Sequence, residues 1–173
     1  RVAIQAPNLA EWIVAATGLH AAGAVLVPLN TRFKGREAGY VLRKSRAKVL
    51  VTVGDFLGAR YVESLADEAL PDLARIVLLR GEASDPRAQA WEAFLAAGAA
   101  ISEAVQRARA AEVTGDALSD LLFTSGTTGA PKGVMTTHAQ NLRAFAAWSE
   151  VVGLRAGDRY LVVNPFFHAF GYK

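Results

Sequence analysis

One segment of the sequence concentrates groups that can bind a polyphosphate. Residues 123–133 read Phe-Thr-Ser-Gly-Thr-Thr-Gly-Ala-Pro-Lys-Gly and contain four hydroxyl side chains, three glycines and one lysine. Glycines let successive backbone N–H groups turn toward one point, hydroxyls add rotatable donors, and lysine adds a compact positive charge. The predicted phosphate-binding residues are Thr124, Ser125, Gly126, Thr127, Thr128, Gly129 and Lys132. The alternative is a flexible surface loop, which so dense a set of donors disfavours.

This segment does not fit a Walker A loop. A Walker A loop has glycine directly before its lysine and serine or threonine directly after it. Here Pro131 precedes Lys132, and Gly133 follows it. Because proline has no N–H to donate to a phosphate, we expect a different backbone geometry around the anion. A Walker-type NTPase is therefore disfavoured.

A second group of candidate residues lies near the end of the chain. Phe167 and His168 belong to an aromatic-rich run that follows residues 160–163, which we predict to form a strand stopped by Pro165. Parallel sheets bind ligands beyond the carboxyl ends of their strands, so this run is placed to line an apolar pocket. Taken by itself, His168 would be interpreted as a packed core histidine.

The elements that must position these residues alternate between strands and helices. The predicted strands are 2–5, 24–27, 48–53, 76–79, 121–124 and 160–163. The predicted helices are one capped by Asn8 with Glu11 at N3, then 36–44, 55–70, one opened by Asp85 and Pro86, 102–111, and one that runs from a Thr137–Gln140 capping box to Gly153. The Gly/Thr-rich segment is expected to lead from a strand into this last helix. The alternation predicts an α/β fold, a mostly parallel sheet layered by helices.

The composition excludes several classes of protein. Of the 173 residues, 52% are hydrophobic and 20% charged, which predicts a packed core rather than a disordered chain. The absence of cysteine excludes a disulfide framework and a thiolate metal site, and it suits a cytoplasmic location. A net charge of +3 is compatible with an anionic ligand but too small to indicate nucleic acid. Residues 12–29 carry no formal charge, yet Gly23 and Pro28 interrupt them, so we predict a buried helix and strand rather than a membrane span.

The run from Thr124 to Gly133 resembles the signature loop of the adenylate-forming superfamily, which includes acyl-CoA synthetases, nonribosomal-peptide adenylation domains and luciferases. Residues 22–30 resemble the early core segment of that family, and residues 164–171 resemble its next motif downstream. Residues 29–33 (LNTRF) and the Phe-His-x-Phe-Gly run are most similar to the fatty-acid–CoA ligase branch. The resemblance covers essentially the whole chain.

The resemblance implies an ATP-dependent acyl-CoA ligase. In that family a carboxylate attacks the α-phosphate of ATP, which gives an acyl-adenylate and pyrophosphate, and the thiol of coenzyme A then displaces AMP. The resemblance assigns residues 124–132 to the β- and γ-phosphates, with Thr124 as a contact for Mg²⁺, and it places Phe167 and His168 at the acyl pocket. The implied ligands are ATP, Mg²⁺, coenzyme A and a fatty or other apolar carboxylic acid.

The resemblance also implies that the sequence is a fragment. It begins with Arg1 rather than methionine, and the family's later adenine, ribose and hinge motifs are missing, as is its adenylating lysine. We therefore expect residues 1–173 to be part of the N-terminal AMP-binding domain, without the rest of that domain or the small C-terminal domain. Such a fragment is expected to be inactive, and its cut core is expected to favour a homo-oligomer.

Two other functions stay open at this point. An aryl-acid or amino-acid adenylating enzyme would use the same loop. An amino-acid substrate would require a buried carboxylate to pair with its ammonium group, and no aspartate or glutamate occurs between Arg159 and Lys173. The other possibility is a nucleotide-phosphate-binding module without catalysis, which would need the loop alone.

The phosphate assignment predicts the effect of removing the one lysine in the loop. In the full-length enzyme, Lys132→Ala should leave the fold intact and weaken the use of ATP. The expected loss is about 1.5–3 kcal/mol, because a charge-assisted phosphate contact disappears. ATP–pyrophosphate exchange measured against ATP concentration checks this, and ATP kinetics equal to those of the wild type would contradict the assignment.

Overall fold

The computed structural model of the chain describes residues 1–124 and 131–172. These residues form a seven-stranded sheet with helices packed on both faces. In chain order the elements are β1 (Val2–Gln5), α1 (Ala10–Ala21), β2 (Leu26–Pro28), α2 (Gly35–Ser45), β3 (Val49–Thr52), a short 3₁₀ helix (Glu63–Leu65), β4 (Arg75–Leu78), β5 (Ala88–Ala90), α3 (Trp91–Gly98), α4 (Glu103–Ala111), β6 (Leu118–Thr124), β7 (Lys132–Thr137) and α5 (His138–Val152).

The sheet has the strand order β5-β4-β3-β1-β2-β6-β7. Its neighbouring strands pair in parallel, except that β7 is antiparallel to β6. This confirms the predicted α/β fold with a mostly parallel sheet. Because parallel strands end at the same edge, the residues that follow β1, β2, β3 and β6 all lie along one edge of the sheet.

Successive buried residues on β1 to β4 point to opposite faces of the sheet, as the strand period of two requires. One face packs against α2, and its strand residues are Ala3, Val27, Leu50 and Ile76. The other face packs against α1 and α3, and its strand residues are Ile4, Leu26, Val51 and Val77. The uncharged stretch 12–29 forms α1 and β2, as predicted. Within the described residues, no helix combines the length and the apolar character needed to cross a bilayer.

The N-terminal cap of α5 is confirmed, whereas that of α1 is not. Gln140 N donates to Thr137 Oγ1 at 3.3 Å, and Thr137 N donates to Gln140 Oε1 at 3.0 Å, which completes the predicted capping box. In α1 the cap position belongs to Leu9, which has no capping side chain, so the prediction for Asn8 is wrong. The side chain of Asn8 instead binds the chain near residue 165.

The predicted helix over residues 55–70 is wrong. Leu57 and Gly58 have φ angles of 52° and 78°, in the left-handed region. Phe56 and Ala59 exchange backbone hydrogen bonds of 3.0 Å across this turn. Because left-handed residues end helical hydrogen bonding, only the 3₁₀ helix Glu63–Leu65 forms further along the segment.

The predicted helix start at Asp85 and Pro86 is also wrong. Asp85 Oδ1 accepts a 2.8 Å hydrogen bond from Arg87 N, and its other oxygen accepts one of 2.8 Å from the Arg87 guanidinium. This local turn competes with helix capping for the same carboxylate. The chain then enters β5, and α3 begins only at Trp91.

Two strand assignments near the candidate site differ from the prediction. Residues 160–163 pair with no other strand of the described chain, and the side chains of Tyr160, Leu161 and Val163 are more than half exposed. In contrast, residues 132–137 form β7, where the sequence had predicted a loop leading into a helix. The Gly/Thr-rich segment therefore joins two antiparallel strands rather than a strand and a helix.

The start of α2 explains why glycine stands at position 35. A Cβ atom there would lie 1.7 Å from the carbonyl oxygen of Ser64, whereas a Cβ at Gly18 in α1 would meet nothing within 4 Å.

We expect Gly35→Ala to lower the free energy of unfolding by about 1–3 kcal/mol through overpacking against this backbone. Gly18→Ala is the matched control and should raise the free energy of unfolding by roughly 0.5–1 kcal/mol, since alanine favours a helix interior. Urea denaturation of both variants measures these changes, and equal effects of the two substitutions would contradict this view of the α2 contact.

Candidate active site

The Gly/Thr-rich segment joins β6 to β7 as the connection of a hairpin. Thr124, at the end of β6, faces Lys132, at the start of β7, across the ladder. Both residues are exposed, and Thr124 Oγ1 donates a long hydrogen bond of 3.5 Å to the carbonyl oxygen of Lys132. The predicted contacts that lie outside the described residues are Ser125, Gly126, Thr127, Thr128 and Gly129. Thr124 and Lys132 therefore flank the connection and leave a hydroxyl and an ammonium group accessible beside it.

Helix α2 contacts this hairpin next to the connection. Tyr40 Oη donates a 3.2 Å hydrogen bond to the carbonyl oxygen of Pro131. The ring of Tyr40 also meets the ring of Phe123 edge to face, with centroids 6.4 Å apart. These contacts fix the hairpin against the body of the fold at the point where the connection returns to β7.

The segment that carries Phe167 and His168 is fastened to the loop after β1. Asn8 Nδ2 donates to the carbonyl oxygen of Asn164 at 2.9 Å, and Asn8 Oδ1 accepts from Phe166 N at 2.7 Å. The Phe166 ring packs on Trp12 of α1, with centroids 5.5 Å apart. The segment thus lies at the carboxyl edge of the sheet as predicted, although the cause is Asn8 rather than a preceding strand.

A tight turn presents His168 on this segment. His168 N donates to the carbonyl oxygen of Pro165 at 2.9 Å, and Gly171 N donates to the carbonyl oxygen of His168 at 2.8 Å. Phe170 N donates to His168 Nδ1 at 3.3 Å, so Nδ1 acts as an acceptor and Nε2 is left to meet a ligand. The residue is exposed, so its ring is not packed in the core that the described residues form.

Phe167 and His168 line a cleft of about 1000 Å³. The opposite walls are the loops that follow β2 and β3. The lining residues are Asn30, Thr31, Arg32, Phe33, Lys34, Phe56, Leu57, Ala59, Arg60, Tyr61, Ser64, Asn164, Pro165, Phe167 and His168. The predicted pocket residues are therefore brought together with residues 30–34, which overlap the LNTRF motif, and with the loop that follows β3, which was not predicted to contribute.

Hydrogen bonds from buried side chains shape the wall that follows β2. Gln5 Nε2 donates to the carbonyl oxygens of Asn30 and Phe33 at 3.3 and 3.4 Å. Tyr61 Oη donates to the carbonyl oxygen of Thr31 at 2.8 Å. Burial raises the pKa of Tyr61, so its hydroxyl stays protonated and keeps donating. The wall is held by two side chains whose own backbones belong to other parts of the fold.

The charges that line the cleft are positive. Arg32, Lys34 and Arg60 lie along it, and no aspartate or glutamate is among its described lining residues. Arg60 is paired with Glu63 at 2.7 Å, outside the lining. Aromatic and aliphatic side chains supply the rest of the surface. Such a cleft suits a ligand that combines an apolar body with an anionic group.

A buried carboxylate lies behind the site and was not predicted. Asp120 in β6 is completely buried and accepts hydrogen bonds from Ser119, Asn141 and Tyr172. Burial, and secondarily the charge of Asp120, raises the pKa of Tyr172, so its hydroxyl remains a donor. The available signal in the sequence was a single acidic residue inside the otherwise apolar end of a strand, Leu118–Thr124.

Two histidines border this carboxylate. His20 is half-buried, and its Nε2 lies 3.4 Å from an oxygen of Asp120. His138 is the first residue of α5, and its ring meets that of His20 edge to face, with centroids 5.3 Å apart. Burial lowers the pKa of His138, with the neighbouring His20 as the second cause, whereas Asp120 acts to raise it.

Thr124 is the candidate protein ligand for the Mg²⁺ that the resemblance implies. The exposed Thr124 hydroxyl at the mouth of the hairpin fits an ion held mainly by phosphate oxygens, since Mg²⁺ keeps few protein ligands. Across residues 1–124 and 131–172, no group of three His, Cys, Asp or Glu side chains is arranged to hold a metal.

The fold is that of an α/β protein with a cleft lined by arginine and lysine at the carboxyl edge of its sheet. The chain belongs to the AMP-binding enzyme family, whose model matches residues 1–173. It is 48% identical over 173 residues to the 3-[(3aS,4S,7aS)-7a-methyl-1,5-dioxo-octahydro-1H-inden-4-yl]propanoyl:CoA ligase of Mycobacterium tuberculosis. It is 44% identical over 176 residues to the ligase of the same name from Rhodococcus jostii.

The chain is shorter than the proteins it resembles. The two alignments cover 100% and 99% of this chain, but 33% and 34% of the relatives, so the chain spans about a third of their length. Among solved structures it is similar to the anthranilate CoA ligase AuaEII in complex with anthranoyl-AMP. The TM-score is 0.77 at 30% identity, over 96% of this chain and 30% of that chain. The predicted resemblance to the adenylate-forming family is thus confirmed, and the role of each site residue stays a prediction.

The environment of His138 predicts a pH dependence of stability. Because its pKa is lower in the folded chain than in the unfolded chain, the unfolded state takes up a proton first as the pH falls. Stability should therefore be lost as the pH falls below about 6.5, the ordinary value for histidine.

Urea denaturation at about pH 7.5 and about pH 5.5, on either side of that value, measures the loss. We expect His138→Gln to lose less stability than the wild type over this interval. An equal loss in both proteins would show that His138 does not carry the effect.

Proposed function

We propose that this chain is part of the N-terminal AMP-binding domain of an ATP-dependent acyl-CoA ligase. The observation that carries the proposal is the placement of two features at one edge of the sheet. The connection between Thr124 and Lys132 follows β6. The cleft that contains His168 is lined by the loops after β2 and β3, with both cationic and apolar side chains. A nucleotide and an organic acid bound there would share the edge at which their reaction has to occur.

In the proposed reaction, a carboxylate oxygen attacks the α-phosphorus of ATP, and the bond to the bridging oxygen of pyrophosphate breaks. The sulfur of coenzyme A then attacks the acyl carbon, and AMP leaves with the electrons of the acyl–oxygen bond. Lys132 and the Gly/Thr-rich segment neutralise the β- and γ-phosphates, which makes pyrophosphate a better leaving group. Thr124 would hold Mg²⁺ in part, and the ion would supply further positive charge to the phosphates.

The cleft contributes orientation and charge for the acid. The Nε2 atom of His168 is available to hydrogen-bond a carboxylate or adenylate oxygen without adding a fixed charge. Arg32 and Lys34 attract an anion into the cleft, and the rings of Phe33 and Phe167 cover an apolar acyl group. A substrate ammonium group would meet these cations without a carboxylate among the described lining residues, so an amino acid is disfavoured.

We infer a ring-bearing propanoic acid as the substrate class. The support is the name of two relatives at 44% and 48% identity, both ligases of a propanoyl group carried on an octahydroindene ring system. A cleft of about 1000 Å³ has room for a bicyclic acid of this kind. A straight fatty chain is the second substrate class, and the aromatic lining suits it as well.

We further propose that residues 1–173 need the remainder of the enzyme for catalysis. The chain spans about a third of its relatives, so two thirds of their residues have no counterpart in it. The fragment alone should therefore release no pyrophosphate. A cytoplasmic location and self-association of the fragment stay predictions.

The test uses the full-length enzyme in an ATP–pyrophosphate exchange assay with four probes: a ring-bearing propanoate, a straight-chain fatty acid, an aryl acid and an amino acid. Exchange should be fastest with the propanoate. Preference for an amino acid would overturn the interpretation of the cleft. ATP binding without exchange on any acid would instead favour a non-catalytic nucleotide-binding module.

The same assay tests His168. We expect His168→Ala to lower kcat/KM for the acid about tenfold or more, because one hydrogen bond to a charged oxygen is lost. The KM for ATP should change by less than about twofold, since the hairpin is untouched. Arg107→Ala is the control, because Arg107 is exposed on α4 and pairs with Glu103 of the same helix. Unchanged exchange in His168→Ala would mean that the histidine does not touch the acid.

A further inference from the structure

The turn that carries His168 is held at both ends. Asn8 binds its start, as described above. At its other end the ring of Tyr172 packs on Trp12 with centroids 5.1 Å apart, and the Tyr172 hydroxyl donates to the buried carboxylate of Asp120. The backbone between these two anchors belongs to no helix or strand, so the anchors determine which way the turn faces.

We propose that Asp120 is a positioning residue for the acid-binding side of the site. By accepting the hydrogen bond of Tyr172, it holds the turn so that Phe167 and His168 line the cleft. The proposal rests on the proposed function for the identity of the ligand. The tether itself follows from the contacts of Asp120 and Tyr172.

The chemistry of a buried carboxylate suits this task. Asp120 is completely buried, and its oxygens also accept from Ser119 Oγ at 2.8 Å, from Thr136 Oγ1 at 3.5 Å and from the amide of Asn141. A buried charge is stable only while its lone pairs are satisfied. The Tyr172 hydroxyl is therefore one of the donors that satisfy the Asp120 carboxylate. Separation of Tyr172, at the end of the segment, from Asp120 is unfavourable for this reason.

The location of Asp120 in the sheet makes it a rigid reference point. It pairs with Leu26 of β2 on one side and with Thr136 of β7 on the other. The same strand ends at Thr124, where the phosphate-binding hairpin begins. The tether thus sets the position of His168 relative to the strand that presents the nucleotide phosphates.

A purely structural role for Asp120 has different consequences. Loss of a buried hydrogen bond that only stabilises the fold reduces the fraction of folded enzyme. That lowers kcat for every substrate and leaves both KM values unchanged. Loss of a tether instead misplaces His168 in folded enzyme and changes the kinetics toward the acid.

The kinetic test compares Tyr172→Phe, Asp120→Asn and the double variant in the full-length enzyme by ATP–pyrophosphate exchange. We expect each single variant to raise the KM for the acid and to lower kcat/KM for it about tenfold, while the KM for ATP stays within about twofold. Asp120→Asn weakens the contact by removing the negative charge of its acceptor, and Tyr172→Phe removes the donor, so the double variant should lose no more than the larger single loss. Ser45→Ala is the control, since it removes a buried hydrogen bond to Leu42 at the far end of α2.

A second measurement does not depend on ligase activity. The amides of His168, Phe170 and Gly171 are hydrogen-bonded within the turn. Their hydrogen exchange in Tyr172→Phe should be about tenfold faster than in the wild type, and Ser45→Ala should not change it. Tyr172→Phe also keeps the test valid if Asp120→Asn fails to fold.

These measurements separate the two proposals. If the wild-type enzyme shows no pyrophosphate exchange with any of the acids, the proposed function is overturned. Hydrogen exchange at the turn then still tests the tether. Losses that multiply in the double variant, equal losses in Ser45→Ala, or unchanged exchange at the turn would each overturn the role of Asp120.

Discussion

The common direction of β1, β2, β3 and β6 is the constraint on which the candidate site depends. Each of these strands delivers its next residues to the same edge of the sheet. Asn8 follows β1, the wall of the cleft around Arg32 follows β2, the turn at Phe56 follows β3, and the hairpin follows β6 after Thr124. Residues separated by more than a hundred positions in the chain thereby share one surface. Reversal of any one strand would remove its loop from that surface.

The distribution of charge across this edge follows from burial. Arg32, Lys34 and Arg60 line the open cleft, where water and a ligand can meet them. The carboxylate of Asp120 lies behind the surface, with its oxygens occupied by donors of the protein. An unpaired carboxylate in the cleft would repel an anionic substrate. Because donors of the protein enclose the Asp120 carboxylate, it can hold its neighbours in place without repelling an anion in the cleft.

Features encoded by neighbouring residues were predictable, and features that depend on distant partners were not. The cap of α5 needs only Thr137 and Gln140, and continuous apolar strands are typical of a parallel sheet. Both predictions are confirmed. The helix expected over 55–70 fails because the turn at Gly58 interrupts an otherwise helical pattern. Asn8 has the residue type of a helix cap, yet a segment more than 150 residues away takes its side chain. Likewise, the sequence placed His168 near a ligand, but the tether through Asp120 arises only in three dimensions.

Helix α1 connects the stability of the core to the geometry of the site. Trp12 is completely buried, and its ring supports both Phe166 and Tyr172 at the two ends of the exposed turn. The turn has no strand ladder of its own, so its order comes from the core residue beneath it and from the polar contacts of Asn8 and Asp120. A site on a loop can hold a defined geometry when rigid elements fix both ends of that loop. The residues proposed to touch a ligand and the residues that hold them are therefore different, and only the first group has a composition that indicates chemistry.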